Sequence, residues 1–258
     1  DSVMCWGRNY EGQLGDGLTY ANSAVPITVE LDDSASGSGV HPVNIFAKDY
    51  ATCLTFSDTS LKCWGKNYWN WMSTDLDGQT MYNAKETKPI RLSTSMPINT
   101  KVISAGWLHT CAIHGDNTLN CWGSNQNGQL GFEIDEDDYQ YTIPQKIDLG
   151  SNVNPTSLSL GEEHTCALID DGSIRCWGVN SDGQLGLGNI TDYISTPQTV
   201  SIGTGVFATS ISASSMHTCA ITDNGETKCW GRNDQGQVGN FGNADQPTPQ
   251  SIPLGSRT

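Results

Sequence analysis

His-Thr-Cys-Ala-Leu-Ile-Asp-Asp-Gly-Ser-Ile-Arg-Cys-Trp-Gly, residues 164–178, places two β-prone runs on either side of an Asp-Asp-Gly turn. This pattern predicts an antiparallel hairpin centred on Asp171, in which Cys166 and Cys176 lie directly opposite each other. Opposed Cα atoms in such a pair are about 4.5–5.5 Å apart, which is a distance that a disulfide can bridge. We therefore predict a disulfide across this hairpin.

The same ten-residue spacing relates eight of the nine cysteines. No Cys-x-x-Cys occurs, so the usual spacings of a zinc knuckle and of a dithiol redox site are absent. The alternative to disulfides is four pairs of buried free thiols. Four cross-strand disulfides would indicate an oxidising compartment, and we expect an extracellular or cell-surface location. The predicted bonds are Cys53–Cys63, Cys111–Cys121, Cys166–Cys176 and Cys219–Cys229.

The hairpin is one part of a repeat of 53–58 residues. After Cys-Trp-Gly comes Asn-x-x-Gly-Gln-Leu/Val-Gly in four of the five periods, then a proline with a short apolar alternation, then an alternating segment before the next hairpin. Each period therefore contains about four short strands, and no stretch has sustained helical periodicity, which predicts an all-β fold. Cys-Trp-Gly begins at Cys5, Cys63, Cys121, Cys176 and Cys229.

Four antiparallel strands per repeat suggest the blades of a β-propeller. The tandem Cys-Trp-Gly, Asn-x-x-Gly-Gln-Leu-Gly and His-Thr-Cys-Ala strings closely resemble the repeat of the regulator of chromosome condensation family over essentially the whole chain. The resemblance implies a propeller that usually has seven blades, of which roughly five are represented here. The paired cysteines differ from the intracellular members and resemble the secreted or surface-displayed branch.

We expect residues 1–258 to form a single propeller-type repeat domain that is incomplete at both ends. Cys5 begins as the second half of a hairpin, and its expected partner would lie ten residues upstream. At the other end, Thr258 comes where the next alternating strand should begin.

Most of the prominent residues of the repeat are interpreted as scaffold. A residue that recurs in every blade usually packs against the neighbouring blade, and this applies to the five tryptophans of Cys-Trp-Gly. The histidines of His-Thr-Cys-Ala recur one per blade, so different blades separate them, and structural hydrogen bonds are favoured over metal ligation. These histidines are His109, His164 and His217.

Function is expected where the repeat is broken, because insertions in repeat proteins map to loops on one face. After Cys63 the Gly-Gln-Leu-Gly string is replaced by an aromatic segment, and after Gly131 the chain inserts an acidic one. Together they would form an acidic, aromatic surface for a basic or cationic partner, a sugar or Ca²⁺, unless they are solvated loops with a locally packed aromatic pair. The predicted partner-binding residues are Tyr68, Trp69, Trp71, Glu133, Asp135, Glu136, Asp137, Asp138 and Tyr139.

Two further sites follow from short patterns. Asp75, Asp77 and Glu86 loosely imitate an oxygen-rich calcium loop, but the glycine is at the wrong position for an EF-hand, so we expect no cofactor beyond this weak calcium candidate. Asn189-Ile190-Thr191 is the only N-glycosylation sequon, on an expected loop.

Composition narrows the function classes. The formal net charge of −15 argues against nucleic-acid binding, and no apolar run approaches the length of a membrane span. The usual hydrolase and phosphate-binding motifs are absent, so we expect a non-catalytic extracellular recognition or assembly module that binds a protein or glycan partner, or copies of itself, through one propeller face. The alternatives are a structural subunit of a surface array or filament, a secreted enzyme inhibitor and, as an outside alternative, a carboxylate-dependent hydrolase.

Overall fold

The computed structural model describes residues 2–17, 21–29, 31, 40–48, 51–57, 61–66, 83–89, 100–135 and 137–253, with only the backbone described at 48, 51, 61 and 83–89. Its described elements are all β-strands, arranged in five antiparallel sheets. Within these ranges, no helix has the length and hydropathy needed to cross a membrane.

The first sheet contains β1 (Met4–Gly7) and β2 (Ser23–Thr28), and four four-stranded sheets follow along the chain. Sheet two consists of β3 (Pro42–Lys48), β4 (Ala51–Phe56), β5 (Leu61–Lys66) and β6 (Asn83–Pro89). Sheet three consists of β7 (Thr100–Ala105), β8 (His109–His114), β9 (Leu119–Ser124) and β10 (Gln140–Lys146). Sheet four consists of β11 (Pro155–Leu160), β12 (His164–Ile169), β13 (Ile174–Val179) and β14 (Tyr193–Val200). Sheet five consists of β15 (Ala208–Ala213), β16 (His217–Thr222), β17 (Thr227–Gly231) and β18 (Gln246–Ser251).

The strands of each full sheet pair in sequence order, and the first strand of one sheet lies beside the first strand of the next, as β7, β11 and β15 do. First strands in mutual contact with later strands stacked outward are the arrangement of propeller blades. The predicted all-β fold with four-stranded antiparallel blades is therefore confirmed.

The middle strands form the predicted hairpins. Cys166 and Cys176 are directly paired in the β12–β13 register, their Cα atoms are 4.2 Å apart, and a disulfide joins them. The other three hairpins have the same cross-strand bond, so all four predicted disulfides are confirmed. Cys5 is a free, half-buried thiol whose pKa is raised by burial.

A repeated hydrogen-bonded node joins neighbouring sheets at three of the junctions, between sheets one and two, three and four, and four and five. Between sheets three and four, the carbonyl oxygen of Gln129 accepts bonds from Thr165 Oγ1 at 2.9 Å and from Trp177 Nε1 at 3.0 Å. Because the indole and the hydroxyl belong to the following sheet, the node stabilises the packing of one sheet on the next. It recurs at Gln13–Thr52–Trp64 and at Gln184–Thr218–Trp230.

The glycine after each node leaves room for the indole. Gly131 has φ +99°, and a Cβ there would lie 2.9 Å from Trp177 Nε1, so a larger residue would displace the ring. Trp64, Trp122, Trp177 and Trp230 are fully buried, as the scaffold interpretation predicts.

Trp6, the fifth tryptophan of Cys-Trp-Gly, is 63% exposed, and no described sheet precedes the one that contains β1, so the scaffold interpretation of this residue stays a prediction.

The recurrent histidines also link sheets. His109 Nε2 lies 2.7 Å from Thr165 Oγ1, and His164 Nε2 lies 2.9 Å from Thr218 Oγ1. Each imidazole therefore reaches the threonine of the following sheet, which supports the predicted structural role of these side chains.

Candidate functional site

One end of the sheets is made of loops that differ from repeat to repeat. In sheets three to five, short inner loops join the first and second strands, and longer outer loops join the third and fourth strands. The inner loops are 106–108, 161–163 and 214–216, and the outer loops are 125–135 with 137–139, 180–192 and 232–245. We call this end the loop face, and we call the opposite end, which carries the turns 115–118, 170–173 and 223–226, the turn face.

The inner loops hydrogen-bond to one another across neighbouring sheets. Trp107 N donates to the carbonyl of Glu162 at 3.0 Å, and Glu162 N donates to the carbonyl of Ser215 at 3.1 Å. A Cβ at Gly161 would lie within 2.5 Å of Ser214 O, so this position requires glycine. The backbone of the inner loops is therefore fixed, while their side chains are free to differ.

Those side chains form an aromatic and acidic centre. Trp107 is 41% exposed, whereas Glu162 and Glu163 occupy the corresponding loop of the next sheet and are half-buried. The pKa of Glu163 is raised by burial and, to a lesser extent, by the charge of Glu162, against a hydrogen bond from Asn127 that lowers it. A carboxylate held in such surroundings gains stabilisation from an approaching cation.

The outer loop of sheet three carries the acidic insertion. Glu133, Asp135, Asp137 and Asp138 are exposed, whereas Tyr139 is partly buried. Asp135 Oδ1 accepts a bond from Asp137 N at 3.1 Å, and the carbonyl of Tyr139 accepts one from Asn125 N at 2.7 Å. These bonds anchor the backbone of the insertion and leave its carboxylates facing the solvent.

Two rings of the same insertion pack on each other. The centroids of Phe132 and Tyr141 are 4.9 Å apart in an edge-to-face arrangement. Burial raises the pKa of Tyr141, and the charges of Asp135 and Asp138 raise it further. The locally packed aromatic pair that the sequence left open is therefore present, beside carboxylates that remain exposed.

Acidic residues dominate the described loops of sheets three to five, and Arg232 is their one basic residue. Arg232 donates to Asp234 Oδ2 at 2.7 Å, a bond that lowers the pKa of Asp234, so its charge is already compensated. The loop face should therefore attract cations and repel anions. Its carboxylates are Glu133, Asp135, Asp137, Asp138, Glu162, Glu163, Asp182, Asp192, Asp234 and Asp245.

Several predicted site residues lie outside the described residues. Tyr68, Trp69, Trp71, Asp75, Asp77 and Glu136 are among them, and Glu86 lies in β6, where only the backbone is described. Their roles stay predictions. In the part of the chain that is described, no group of three or more His, Cys, Asp or Glu side chains is placed to hold a metal ion.

The sequon residue Asn189 is exposed on the outer loop of sheet four. Its side-chain oxygen and backbone carbonyl lie 3.3 Å and 3.1 Å from the buried Nδ2 of Asn180. This contact engages the Asn189 oxygens, so glycosylation at its side-chain nitrogen stays a prediction that the geometry permits.

Sequence reasoning missed Trp107 and the Glu162–Glu163 pair. It searched for insertions, whereas these residues are substitutions within inner loops of unchanged length. The available signal was the dipeptide that immediately precedes His-Thr-Cys in each inner loop. It is Trp-Leu, Glu-Glu and Ser-Met in successive repeats.

Two family models, both described as "Regulator of chromosome condensation (RCC1) repeat", match the chain. One matches residues 116–168 and 171–221, the other matches 101–129, 156–184 and 208–237, and together they span more than half of the chain. The chain is also 30% identical over 250 residues to the ultraviolet-B receptor UVR8 of Arabidopsis thaliana, which covers 97% of this chain and 53% of UVR8. The chain therefore spans about half the length of this relative.

Solved structures show the same fold at lower identity. Human WBSCR16 superimposes with a TM-score of 0.84 at 20% identity, covering 98% of this chain and 67% of that one. Yeast RCC1 (Prp20) bound to Kap60 gives 0.65 at 21% identity, covering 97% and 70%. A second structure of Prp20p from Saccharomyces cerevisiae, reported with its binding properties to Gsp1p and histones, gives 0.64 at 20% identity, covering 97% and 72%.

Proposed function

Because this chain belongs to the regulator of chromosome condensation (RCC1) repeat family, we propose that it is a non-catalytic, extracellular recognition module that binds a basic segment of a protein through its loop face. Prp20, which shares the fold, is a precedent for a propeller of this kind that binds other proteins.

The observation that carries the proposal is the divergence of the inner loops on a repeated scaffold. In a repeat protein each blade packs only on its neighbours, so positions that serve packing recur and positions that serve recognition are free to differ. His-Thr-Cys and Cys-Trp-Gly recur in sheets three to five. The inner loops that precede His-Thr-Cys nevertheless differ, and they carry Trp107, the Glu162–Glu163 pair and Ser215-Met216.

The chemistry of this centre favours a basic ligand. A half-exposed indole can bury its ring against an arginine or lysine side chain and attract the cation through its π face. The pKa of Glu163 is raised because burial and the charge of Glu162 disfavour its ionised form. A cation from the partner would stabilise that ionised form. The surrounding carboxylates would increase the rate of encounter, while a neutral glycan would gain nothing from them.

The proposed compartment is supported by the cysteines. Four disulfides within hairpins are typical of proteins that fold in an oxidising environment and are rare in cytosolic ones.

Selection from a random peptide display library tests the proposal, because it does not require an identified partner. We expect selection on the unmodified protein to enrich lysine- and arginine-rich peptides, and Trp107→Ala to weaken them by about 30-fold, the equivalent of ~2 kcal/mol. Glu163→Gln should weaken them less and reduce the salt dependence of binding.

Asp170→Asn is the matched control, because it removes one carboxylate from the turn face while its oxygen can still accept the bond from Asn154 Nδ2. It should leave binding unchanged. Enrichment of neutral or acidic peptides, or equal binding to the Trp107→Ala variant at unchanged stability, would contradict the proposal.

A further inference from the structure

Phe241, in the outer loop of sheet five, combines extreme exposure with a strained backbone. Its side chain is 93% exposed, and its φ is +63°, a conformation that is unusual for a bulky residue. Gly17 and Gly188 occupy the same sequence position relative to the buried Asn9 and Asn180 as Phe241 does relative to Asn233. These glycines adopt similar positive φ values of +72° and +83°. A phenyl ring thus stands where other repeats use glycine, and it contributes nothing to the core.

The loop holds this ring in a defined position. Nδ2 of Asn233, a fully buried side chain, lies 3.1 Å from Asn240 Oδ1, 2.8 Å from the carbonyl of Gly242 and 3.1 Å from that of Ala244. Gly242 N also donates to Asn240 Oδ1 at 3.2 Å. These bonds lie on both sides of Phe241, so the ring is presented on a preorganised backbone, which lowers the entropic cost of burying it in a partner.

A groove of about 500 Å³ opens at the turn face, between sheets three and four. Its apolar lining includes Leu119, Ile147 and Leu149, all less than 8% exposed. Lys146 and Asp148 supply one positive and one negative charge to its edge. The volume is within the range of pockets that take small ligands, and it exceeds that of one aromatic side chain.

The next junction along the chain shows what this kind of turn accommodates. There, between sheets four and five, Phe207 lies close to the turn. A Cβ added at Gly172 would be 2.6 Å from the Cβ of Phe207 and 3.2 Å from the Cδ1 of Phe207. At the groove, Asn154 takes the place of Phe207 and Asn117 that of Gly172, with an amide contact of 3.4 Å between them. The turn beside the groove therefore lacks the ring, itself 50% exposed, that the chain supplies at the next junction.

We propose that Phe241 of one molecule inserts into this groove of a second copy, so that the loop face of one propeller stacks on the turn face of the next. Asp245, which accepts a bond from Asn233 N, places a carboxylate in the loop of Phe241, and Lys146 places an ammonium group at the groove beside the carboxylate of Asp148, so the insertion of the ring, and not the overall charge of the two faces, drives the contact. The donor and acceptor surfaces differ, so the contact is heterologous and can continue from copy to copy. The contact uses neither Trp107 nor Glu163, so the variants that test it leave the proposed recognition residues unchanged, although a stacked copy would compete with a basic partner for the loop face.

Two variants remove the two halves of the contact separately. Phe241→Gly removes the ring and restores the glycine of Gly17 and Gly188, so it should not destabilise the fold. Asn117→Gly with Asn154→Phe reproduces the Gly172–Phe207 pair and places a ring of the chain's own at the groove; the positive φ of Asn117, +65°, suits glycine. Ile190→Ser is the control, because it removes another exposed apolar side chain, 55% exposed, from the loop face.

Sedimentation velocity over a range of concentrations at physiological ionic strength gives the readout. We expect concentration-dependent association of the unmodified protein, at least tenfold weaker association for each variant, and no change for Ile190→Ser. A mixture of the two variants retains one Phe241 and one open groove, so it should form one-to-one dimers and nothing larger.

A monomeric unmodified protein at every concentration would overturn the proposal, and Phe241 would then serve a different protein. Association that persists in Phe241→Gly would overturn it as well. So would a mixture that fails to dimerise, because the contact would then not join these two surfaces.

Discussion

Substitution of phenylalanine for single buried tryptophans tests the hydrogen-bonded node between sheets. Trp177 and Trp122 are both fully buried at the same position of consecutive repeats, but only Trp177 Nε1 donates to a carbonyl, that of Gln129. Trp122 Nε1 has no hydrogen-bond partner among the described residues, because Gly-Gln-Leu-Gly is missing from the period before it. The two sites therefore differ in this hydrogen bond.

The expected magnitudes follow from three contributions. Trimming the indole to a phenyl ring should cost about 1–2 kcal/mol at either site, through lost burial and a small cavity. Trp177→Phe also loses a hydrogen bond of about 1 kcal/mol, whereas Trp122→Phe removes an unpaired buried N–H that costs about 1–3 kcal/mol. We therefore expect Trp177→Phe to lower the free energy of unfolding by about 2–3 kcal/mol, and Trp122→Phe to change it by an amount between a loss of about 1 kcal/mol and a gain of about 2 kcal/mol.

Urea unfolding followed by circular dichroism under non-reducing conditions measures the difference. Trp230→Phe is the matched control, because Trp230 Nε1 donates to the carbonyl of Gln184 at 2.9 Å and should behave like Trp177. Equal losses at positions 122 and 177 would refute the reasoning, since the bond to Gln129 would then contribute nothing specific.

Two further predictions concern pH. The pKa of Glu163 is raised in the folded protein, so ionisation of this carboxyl lowers the free energy of unfolding at neutral pH, and the loss disappears below the ordinary pKa range of carboxyls. Glu163→Gln should therefore raise the urea midpoint at neutral pH and leave it unchanged in acid. Burial lowers the pKa of His114, against an opposing effect of Asp116, so stability should fall as the pH drops below the ordinary histidine range. His114→Thr, which introduces the residue found at the equivalent position 222, should flatten that acid limb of the stability profile, and an unchanged limb would assign it to other groups.

The hairpins and their disulfides were predictable because they are local. Asp171 and Gly172 define the turn, and a ten-residue spacing places the cysteines of each pair opposite each other whatever the rest of the chain does. The propeller was predicted from the four strands of each repeat and from the resemblance of the whole chain to the repeat of the regulator of chromosome condensation family.

The contacts between sheets were less accessible to sequence reasoning. The acceptor for Trp177 is the backbone carbonyl of Gln129, and a backbone atom leaves no signature in the residue type.

At the candidate site the sequence indicated the acidic insertion but not the centre of the loop face. Asp135 and Asp138 stood out because the insertion changes the length of the repeat. Trp107 and Glu163 left the length unchanged, and their proximity became visible only when Trp107 N was found bonded to the carbonyl of Glu162 in the next sheet. A column-by-column comparison of the inner loops would have identified them.

Hydrogen–deuterium exchange with a lysine- and arginine-rich peptide from the display selection tests the central claim, binding through the loop face, most directly. We expect added protection at the amides of 106–108 and 161–163 and in the outer loops that border them, with no change at the turns 115–118, 170–173 and 223–226. Added protection that is confined to those turns would contradict the claim that the loop face is the recognition surface. So would added protection that is equal at both ends of the sheets and disappears equally from both when the peptide is removed.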